Sequence, residues 1–457
     1  MGLMRSVSGV RGLVGEEITD EVAARYGTAF GRFLGGGTVA VGWDSRPGGA
    51  SLHSSIRRGL RNAGVSVVDL GVVPTPTVGI HVRTHGLAGG VAVTASHNPV
   101  EYNGFKFFSS GGVFLGPKDV GELFALADGS LGGDGVTRGV ERYETEAAYE
   151  HAALVLAGVD VDREAVERAG LKVVVDCVNA SGGVLLPDLL RALGCEVVEL
   201  NTRTGTAFPR GAEPIPRNLG DLGRAVVATA ADVGLACDPD ADRLAIVDAG
   251  GTPIGEEYTL AIAVRRVLSR RRGAVVVNVS TSGMIDAVAA EAGVPVHRTA
   301  VGERHVVGKM MEVSAVVGGE GNGGVVLPDV HMGRDAATAA ALVVSALVDA
   351  GEGGIDAIVA GFPKYEMVKT KLPLAGPVDP RRIVERMRSS FPEGRLDSTD
   401  GAKIVWPRSW VHARMSNTEP VVRIIAEAED AGAAEELIGR VGSALSGMTE
   451  GDRPCAG

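Results

Sequence analysis

Three stretches of the chain repeat one order of apolar and polar positions. Thr38-Val39-Ala40-Val41-Gly42 leads into Asp44-Ser45-Arg46 and a helix-period segment from Ala50 to Ala63. Lys172-Val173-Val174-Val175-Asp176 leads into Asn179-Ala180-Ser181-Gly182-Gly183 and a Leu-rich segment ending near Gly194. Ala274-Val275-Val276-Val277-Asn278 leads into Ser280-Thr281-Ser282-Gly283 and a segment ending near Gly293. A continuous Val-rich run suits a parallel strand buried on both faces, and a glycine beyond each periodic segment predicts a helix C-cap. A second short strand is expected after each helix, over Val65–Val68, Glu196–Glu199 and Val294–His297. Three β-α-β units about a hundred residues apart predict three related α/β domains rather than one large sheet.

The C-terminal part follows another pattern. Lys403-Ile404-Val405-Trp406 and Val421–Ala428 predict antiparallel strands, and the Ala-rich segment Ala431–Leu445 predicts a closing helix, together a smaller α+β unit. Gly361-Phe362-Pro363-Lys364 suits a linker into it, and the tail from Met448 is expected to fray. Domain boundaries are therefore expected at 1–150, 151–252, 253–362 and 363–457, a division that agrees with a length of 457 residues.

Composition narrows the class. Apolar residues make up 45% of the chain and aromatics only 4%, so the cores must rest on Val, Ala, Leu and Ile. The 66 glycines sit at the ends of apolar runs and act as punctuation. A net charge of −11 argues against nucleic acid or an anionic membrane as partner, so a phosphate site would need local positive charge. Cys177, Cys195, Cys237 and Cys455 have no metal-ligand spacing. The first three lie in apolar context and suit buried thiols of a reducing compartment. No hydrophobic segment follows Met1 and no apolar stretch is long enough to span a bilayer, which predicts a cytoplasmic protein.

Several loops carry candidate chemistry. The apolar run Gly90–Val93 stops in Thr94-Ala95-Ser96-His97-Asn98-Pro99, which sets a hydroxyl beside an imidazole. Alone, such a Ser-His pair reads first as an ordinary strand-to-helix turn rich in capping residues. Asp238, Asp240 and Asp242 alternate on Cys237–Arg243, where three carboxylates can converge on one hard cation; an all-oxygen set favours Mg²⁺ over zinc. A solvated acidic loop is the plainer alternative, although Arg243 fits it poorly. Arg414-Met415-Ser416-Asn417-Thr418-Glu419-Pro420 with Arg423 combines two guanidinium groups, two hydroxyls and turn amides, a cradle for a phosphate dianion. In Gly318–Gly324, Glu320 and Asn322 are flanked by glycines that allow a ligand's hydroxyls to come close. Gly333-Arg334-Asp335 suits a structural ion pair. Arg11 on a turn and Lys106 on a strand are equally compatible with structural roles.

Taken together and in this order, these segments resemble the α-D-phosphohexomutases. The likeness runs from Ser8-Gly9-Val10-Arg11-Gly12 to about Ala428. It departs at Asn417, where many members have glycine, at Asn322, which replaces a more common serine, and at Gly324, where several subgroups carry histidine. The resemblance implies four domains and a phosphoserine at Ser96. It implies Mg²⁺ held by Asp238, Asp240, Asp242 and a phosphoserine oxygen. Arg11, His97, Lys106 and Arg243 are the implied catalytic groups, Glu320 and Asn322 the sugar ligands, and Arg414, Ser416, Asn417, Thr418 and Arg423 the grip on the non-reacting phosphate. It also implies a small sugar phosphate as the only necessary partner, a hexose 1,6-bisphosphate as priming activator, and a monomer or homodimer. The form of the sugar and phosphate loops is similar to the branch described as phosphoglucosamine or phosphomannomutases and favours the former; a phosphomannomutase or phosphoglucomutase is the alternative. A Mg²⁺-dependent phosphatase would have no need of the distal phosphate grip. A non-catalytic sensor would be expected to lack an intact Ser96 or metal loop.

Overall fold

In a computed structural model the described residues are 3–130, 139–374, 378–416 and 421–446. They build four sheets. The first three share a motif. In the first, Thr38–Trp43 lies between parallel partners Ser66–Val72 and Gly89–Val93, and the latter pairs antiparallel with Tyr102–Ser109. In the second, Lys172–Asp176 lies between Glu196–Leu200 and Val233–Cys237, and the latter turns back into Leu244–Val247. In the third, Val275–Asn278 lies between Val296–Thr299 and Val317–Glu320, which turns back into Gly324–Val326. The fourth sheet is wholly antiparallel, in the order Glu366–Pro373, Val421–Ala428, Ser409–Met415, Ala402–Trp406, Arg395–Asp397.

This motif aligns the candidate loops. Ser96 and His97, the three aspartates, and Gly321–Gly323 all occupy the connection from the third strand of their unit to its antiparallel neighbour. The phosphate-cradle turn likewise joins two antiparallel neighbours, Ser409–Met415 and Val421–Ala428. Four loops of different chemistry thus come from comparable corners of four sheets.

Several details differ from expectation. Helix Gly49–Asn62 closes on Ala63 and Leu186–Ala192 on Leu193; their positive-φ glycines, Gly64 and Gly194, follow one residue later, and only Met284–Ala292 ends directly on left-handed Gly293. The second strands run further than the short apolar runs suggested, to Val72, Leu200 and Thr299. Arg11 belongs to a strand, Gly9–Leu13, that pairs with Tyr102–Ser109. The frayed tail lies outside the described residues. Cys177, Cys195 and Cys237 are buried free thiols. Among the described residues no helix is long and apolar enough to cross a membrane.

The cores are divided unevenly. One continuous apolar cluster includes Val173 and Leu235 of the second sheet, Val275 and Val317 of the third, and almost all of helix Ala336–Ala350, which is apolar on every side and therefore suited to full burial. The fourth sheet keeps its own core around Ile404, Val411, Ile424 and Phe391.

Candidate active site

Ser96 is held by a buried scaffold behind its loop. The Arg46 guanidinium, fully buried, donates from Nε to Asp44 Oδ2 at 2.8 Å and from Nη1 to the Tyr102 carbonyl at 2.8 Å, while Nη2 donates to the Ser96 carbonyl. Thr94 Oγ1 donates to Asp44 at 2.6 Å and accepts the Ser96 amide at 2.8 Å. These bonds keep Ser96 at φ 51°, a left-handed conformation that a serine rarely adopts, and aim its side chain across the domain boundary. There Ser96 Oγ donates to Asp238 Oδ2 at 3.1 Å and lies 3.3 Å from His97 Nδ1.

The aspartate loop is buried, with Asp238, Asp240 and Asp242 at most 1% exposed. One oxygen of each lies within 4.8 Å of the others, and Asp240 Oδ1 and Asp242 Oδ1 are buried without a hydrogen-bond partner. Orphaned carboxylate oxygens converging on one point suit a hard dication with oxygen ligands. Burial and the other two carboxylates push Asp238 well up from the usual carboxylate range. Asp242 goes the other way, because Arg334, Lys106 and Arg243 outweigh its desolvation.

Lys106 donates to Asp240 Oδ2 at 2.6 Å and to Asp242 Oδ2 at 3.1 Å. Burial pulls its pKa down, but the two carboxylates more than reverse that, so it stays an ammonium. His97 is held neutral, well below the usual imidazole value, by burial and by the charges of Arg243 and Arg11. Arg11 donates to Asn98 Oδ1 at 2.8 Å and Arg243 to Glu213 Oε1 at 3.3 Å. Arg11 can lie this close because its strand neighbour is Gly104, where a Cβ would meet the Val10 carbonyl at 2.1 Å and Arg11 Cγ at 3.1 Å.

Arg334 and Asp335 each enter ion pairs, though not with each other. Arg334 spans three carboxylates, Asp242 at 2.6 Å, Glu320 at 2.8 Å and Glu303 at 2.9 Å, whereas Asp335 accepts from His151 Nε2 and caps the following helix. Glu320 Oε1 also accepts from Asn278 Nδ2 and the Gly302 amide, both at 2.9 Å. Asn322 Oδ1 is buried and has no partner. In the fourth sheet Arg414 stands directly opposite Arg423 on neighbouring strands. Two like charges so placed repel, and a bound dianion would offset that. Ser416 lies at the start of the adjoining turn, its amide bonded to the Val421 carbonyl at 2.9 Å; Asn417 and Thr418 lie outside the described residues.

One cavity of about 350 Å³ gathers these groups, lined by Arg11, His97, Lys106, Arg243, Glu320, Asn322, Arg414 and Arg423. Sequence reasoning missed other residues of its wall. Burial raises the Glu257 carboxyl to about 8 and that of Glu303 to about 7, and Lys369 pairs with Glu256 at 2.5 Å. For Glu303 the available signal was position: Val301-Gly302-Glu303 follows the carboxyl end of a parallel strand, where ligands of such sheets gather.

The four descriptions "Phosphoglucomutase/phosphomannomutase", alpha/beta/alpha domains I, II and III and C-terminal domain, match residues 3–129, 150–251, 255–365 and 371–441. A "Probable phosphoglucosamine mutase" of Methanopyrus kandleri is 42% identical over 96% of both chains. The chain belongs to the α-D-phosphohexomutase family. It is therefore an enzyme of the mutase class, with that family's four-domain architecture. A "Phosphoglucomutase/phosphomannomutase" of Thermococcus kodakarensis is 36% identical over 96% of this chain and 97% of its own. A crystal structure of a phosphoglucomutase/phosphomannomutase family protein from Burkholderia thailandensis superposes with a TM-score of 0.84 at 28% identity, covering 98% of this chain and 99% of its own.

Proposed function

We propose that this phosphohexomutase interconverts a hexose 1-phosphate and its 6-phosphate through a phosphorylated Ser96, with glucosamine phosphate as the preferred sugar. The observation that carries the reading is the contact of Ser96 Oγ with Asp238 at 3.1 Å, beside a cavity whose wall also includes the opposed arginines Arg414 and Arg423. The units 1–150, 151–252, 253–362 and 363–457 then supply nucleophile, metal loop, sugar loop and phosphate grip in turn.

In the forward half-reaction the free sugar hydroxyl forms a bond to phosphorus as the bond from phosphorus to Ser96 Oγ breaks, giving a 1,6-bisphosphate. The proton lost by that hydroxyl passes to neutral His97, whose Nδ1 lies 3.3 Å from Ser96 Oγ and can return it to the departing serine oxygen. Lys106, Arg11 and Arg243 place positive charge around the transfer, so the protein acts mainly by position and field. Mg²⁺ on Asp238, Asp240, Asp242 and a phosphoserine oxygen would neutralise charge on the transferring group. Arg414, Ser416, Asn417, Thr418 and Arg423 hold the phosphate that is not reacting, while Glu320 and Asn322 take the hydroxyls. The bisphosphate then turns round and returns its other phosphate to Ser96. The same bisphosphate, supplied externally, primes the enzyme.

Glucosamine is favoured by the name of the 42% identical relative. Glucosamine, glucose and mannose 1-phosphates, each primed with the matching bisphosphate, provide the test, with released phosphate measured alongside isomer. The expected result is isomer without stoichiometric phosphate, fastest for glucosamine. Phosphate release as the main product would reject the mutase reading, and a faster glucose or mannose reaction would reject the sugar.

A further inference from the structure

A second convergent cluster lies away from the cavity, where two helices of the chain pack together. His81 and His85 are four residues apart at the C-terminal end of helix Thr75–Thr84, so both rings fall on one side. Glu150 faces them from helix Ala147–Leu156. Its Oε2 lies 3.2 Å from His81 Nδ1 and 2.9 Å from His85 Nε2, and its Oε1 lies 3.0 Å from His85 Nε2. One atom of each residue falls within 4.8 Å of the others, and the two imidazole centroids are 4.1 Å apart.

His81 is 1% exposed, and it is Nδ1, the nitrogen bonded to Glu150, that is aimed at the cluster. A tetrahedron with ligand distances of roughly 2.0–2.2 Å has edges of about 3.3–3.6 Å, so the 3.2 Å and 2.9 Å separations need to widen by only a few tenths of an ångström to admit an ion. His85 and Glu150 are each about one-third exposed, which leaves a path in and room for water as a fourth ligand.

We propose that His81, His85 and Glu150 bind one transition-metal dication of the zinc type, clamping helix Thr75–Thr84 to helix Ala147–Leu156. Two imidazoles and a carboxylate select such an ion over Mg²⁺, which the all-oxygen aspartate loop suits better. The clamp acts on structure. One turn further in, the same two helices are joined by Thr77 Oγ1 and His151 Nδ1 at 2.8 Å, and His151 Nε2 reaches Asp335 at 2.9 Å. At the start of the first helix, Thr75 Oγ1 donates to Asp240 Oδ2 at 2.6 Å. Fixing the helix pair therefore steadies the base of the aspartate loop without entering the reaction.

The test uses full-length protein stripped with a chelator and titrated with Co²⁺, then with Zn²⁺. A four-coordinate nitrogen-containing Co²⁺ site absorbs strongly in the visible, whereas six oxygen ligands give a weak band, so the two sites are told apart. Wild type and Asp240→Asn are expected to develop one equivalent of the strong band and to melt at a higher temperature with Zn²⁺. His85→Ala and Glu150→Gln are expected to lose the band and to bind zinc at least about a hundredfold more weakly, with Mg²⁺-dependent turnover retained. Both variants alter exposed side chains, and circular dichroism checks each fold separately. Absence of the band in wild type, or an undiminished band in a folded variant, would overturn the site. Since Asp240→Asn serves as the control, the outcome does not depend on the mutase reading.

Discussion

At one end of the cavity Lys106 sits against two aspartates, whereas at the other Arg414 sits opposite a second arginine. The first arrangement is satisfied within the protein except for the partnerless oxygens of Asp240 and Asp242. Ser96, Lys106, the three aspartates and Arg334 form an interlocked buried network beside the apolar core that fuses the second and third units. The second depends on what binds. It belongs to a unit with its own core, joined to the third unit by polar contacts: Lys403 Nζ to the Val279 carbonyl at 2.6 Å, His412 Nδ1 to Ser280 Oγ at 2.9 Å and Glu427 Oε1 to the Gly283 amide at 2.8 Å. The Ser96 end thus lies beside a core shared by two units, whereas the Arg414 end belongs to a unit with a separate core and a polar boundary.

The largest effects belong to the Ser96 end. Asp238→Asn is expected to lower turnover by orders of magnitude and to raise the Mg²⁺ requirement, since metal neutralisation of a phosphoryl group contributes several kcal/mol. Steady-state rates across a Mg²⁺ titration test this, and unchanged activity after thorough chelation would contradict it. Lys106→Met should cost about 3–5 kcal/mol of stability, because it strands two buried carboxylates. Added Mg²⁺ should recover part of the loss, as urea unfolding with and without the ion would show.

At the arginine end the expected pattern is a loss of binding with little loss of stability. Arg423→Ala should weaken both isomers together by roughly ten- to hundredfold, the loss of a charged hydrogen-bond partner. Relief of the like-charge contact with Arg414 should offset the contacts that Arg423 loses, so the melting temperature of the free enzyme is expected to shift little. A lowered melting temperature would mean that the pair is structural.

The difference between the two ends also marks what could be read from the chain. The Val-rich strands and their terminal loops were visible because a strand buried on both faces is continuously apolar and its chemistry follows at once, as in Val91 to Ser96 or Leu235 to Asp242. Strand Glu366–Pro373 was not visible, since it is largely solvent-facing and carries Lys369 and Lys371 between scattered apolar residues. Nor was the partner of Arg334, which lies 92 positions away at Asp242. Periodicity reports only what a residue's own strand or helix buries. Arg46 illustrates the same limit: fully buried in the structure, it appears in sequence as one more polar residue of a turn.

The smallest effect expected is a pH dependence of the joint between the two regions. Burial lowers His412 to about 4 in the folded chain, whereas an unfolded histidine titrates near 6.5. Between these values the unfolded chain binds the extra proton, so stability rises with pH there. The His412 contribution is therefore complete above pH 6.5 and is lost as pH falls towards 4, by about 1 kcal/mol at pH 5.5. Urea unfolding of wild type and His412→Asn at pH 7 and 5.5 isolates it: the variant should lack that part of the acid sensitivity, and equal sensitivity would place the effect elsewhere.

The central claim is that Ser96 carries the phosphoryl group, and intact-mass analysis of active enzyme tests it most directly. One phosphate adduct is expected, mapping to Ser96 and discharged by glucosamine 1-phosphate with formation of a bisphosphate. Ser96→Ala should fold, carry no adduct and show no steady turnover. An adduct on another residue, or near-normal turnover by Ser96→Ala with substrate and bisphosphate present, would contradict the account.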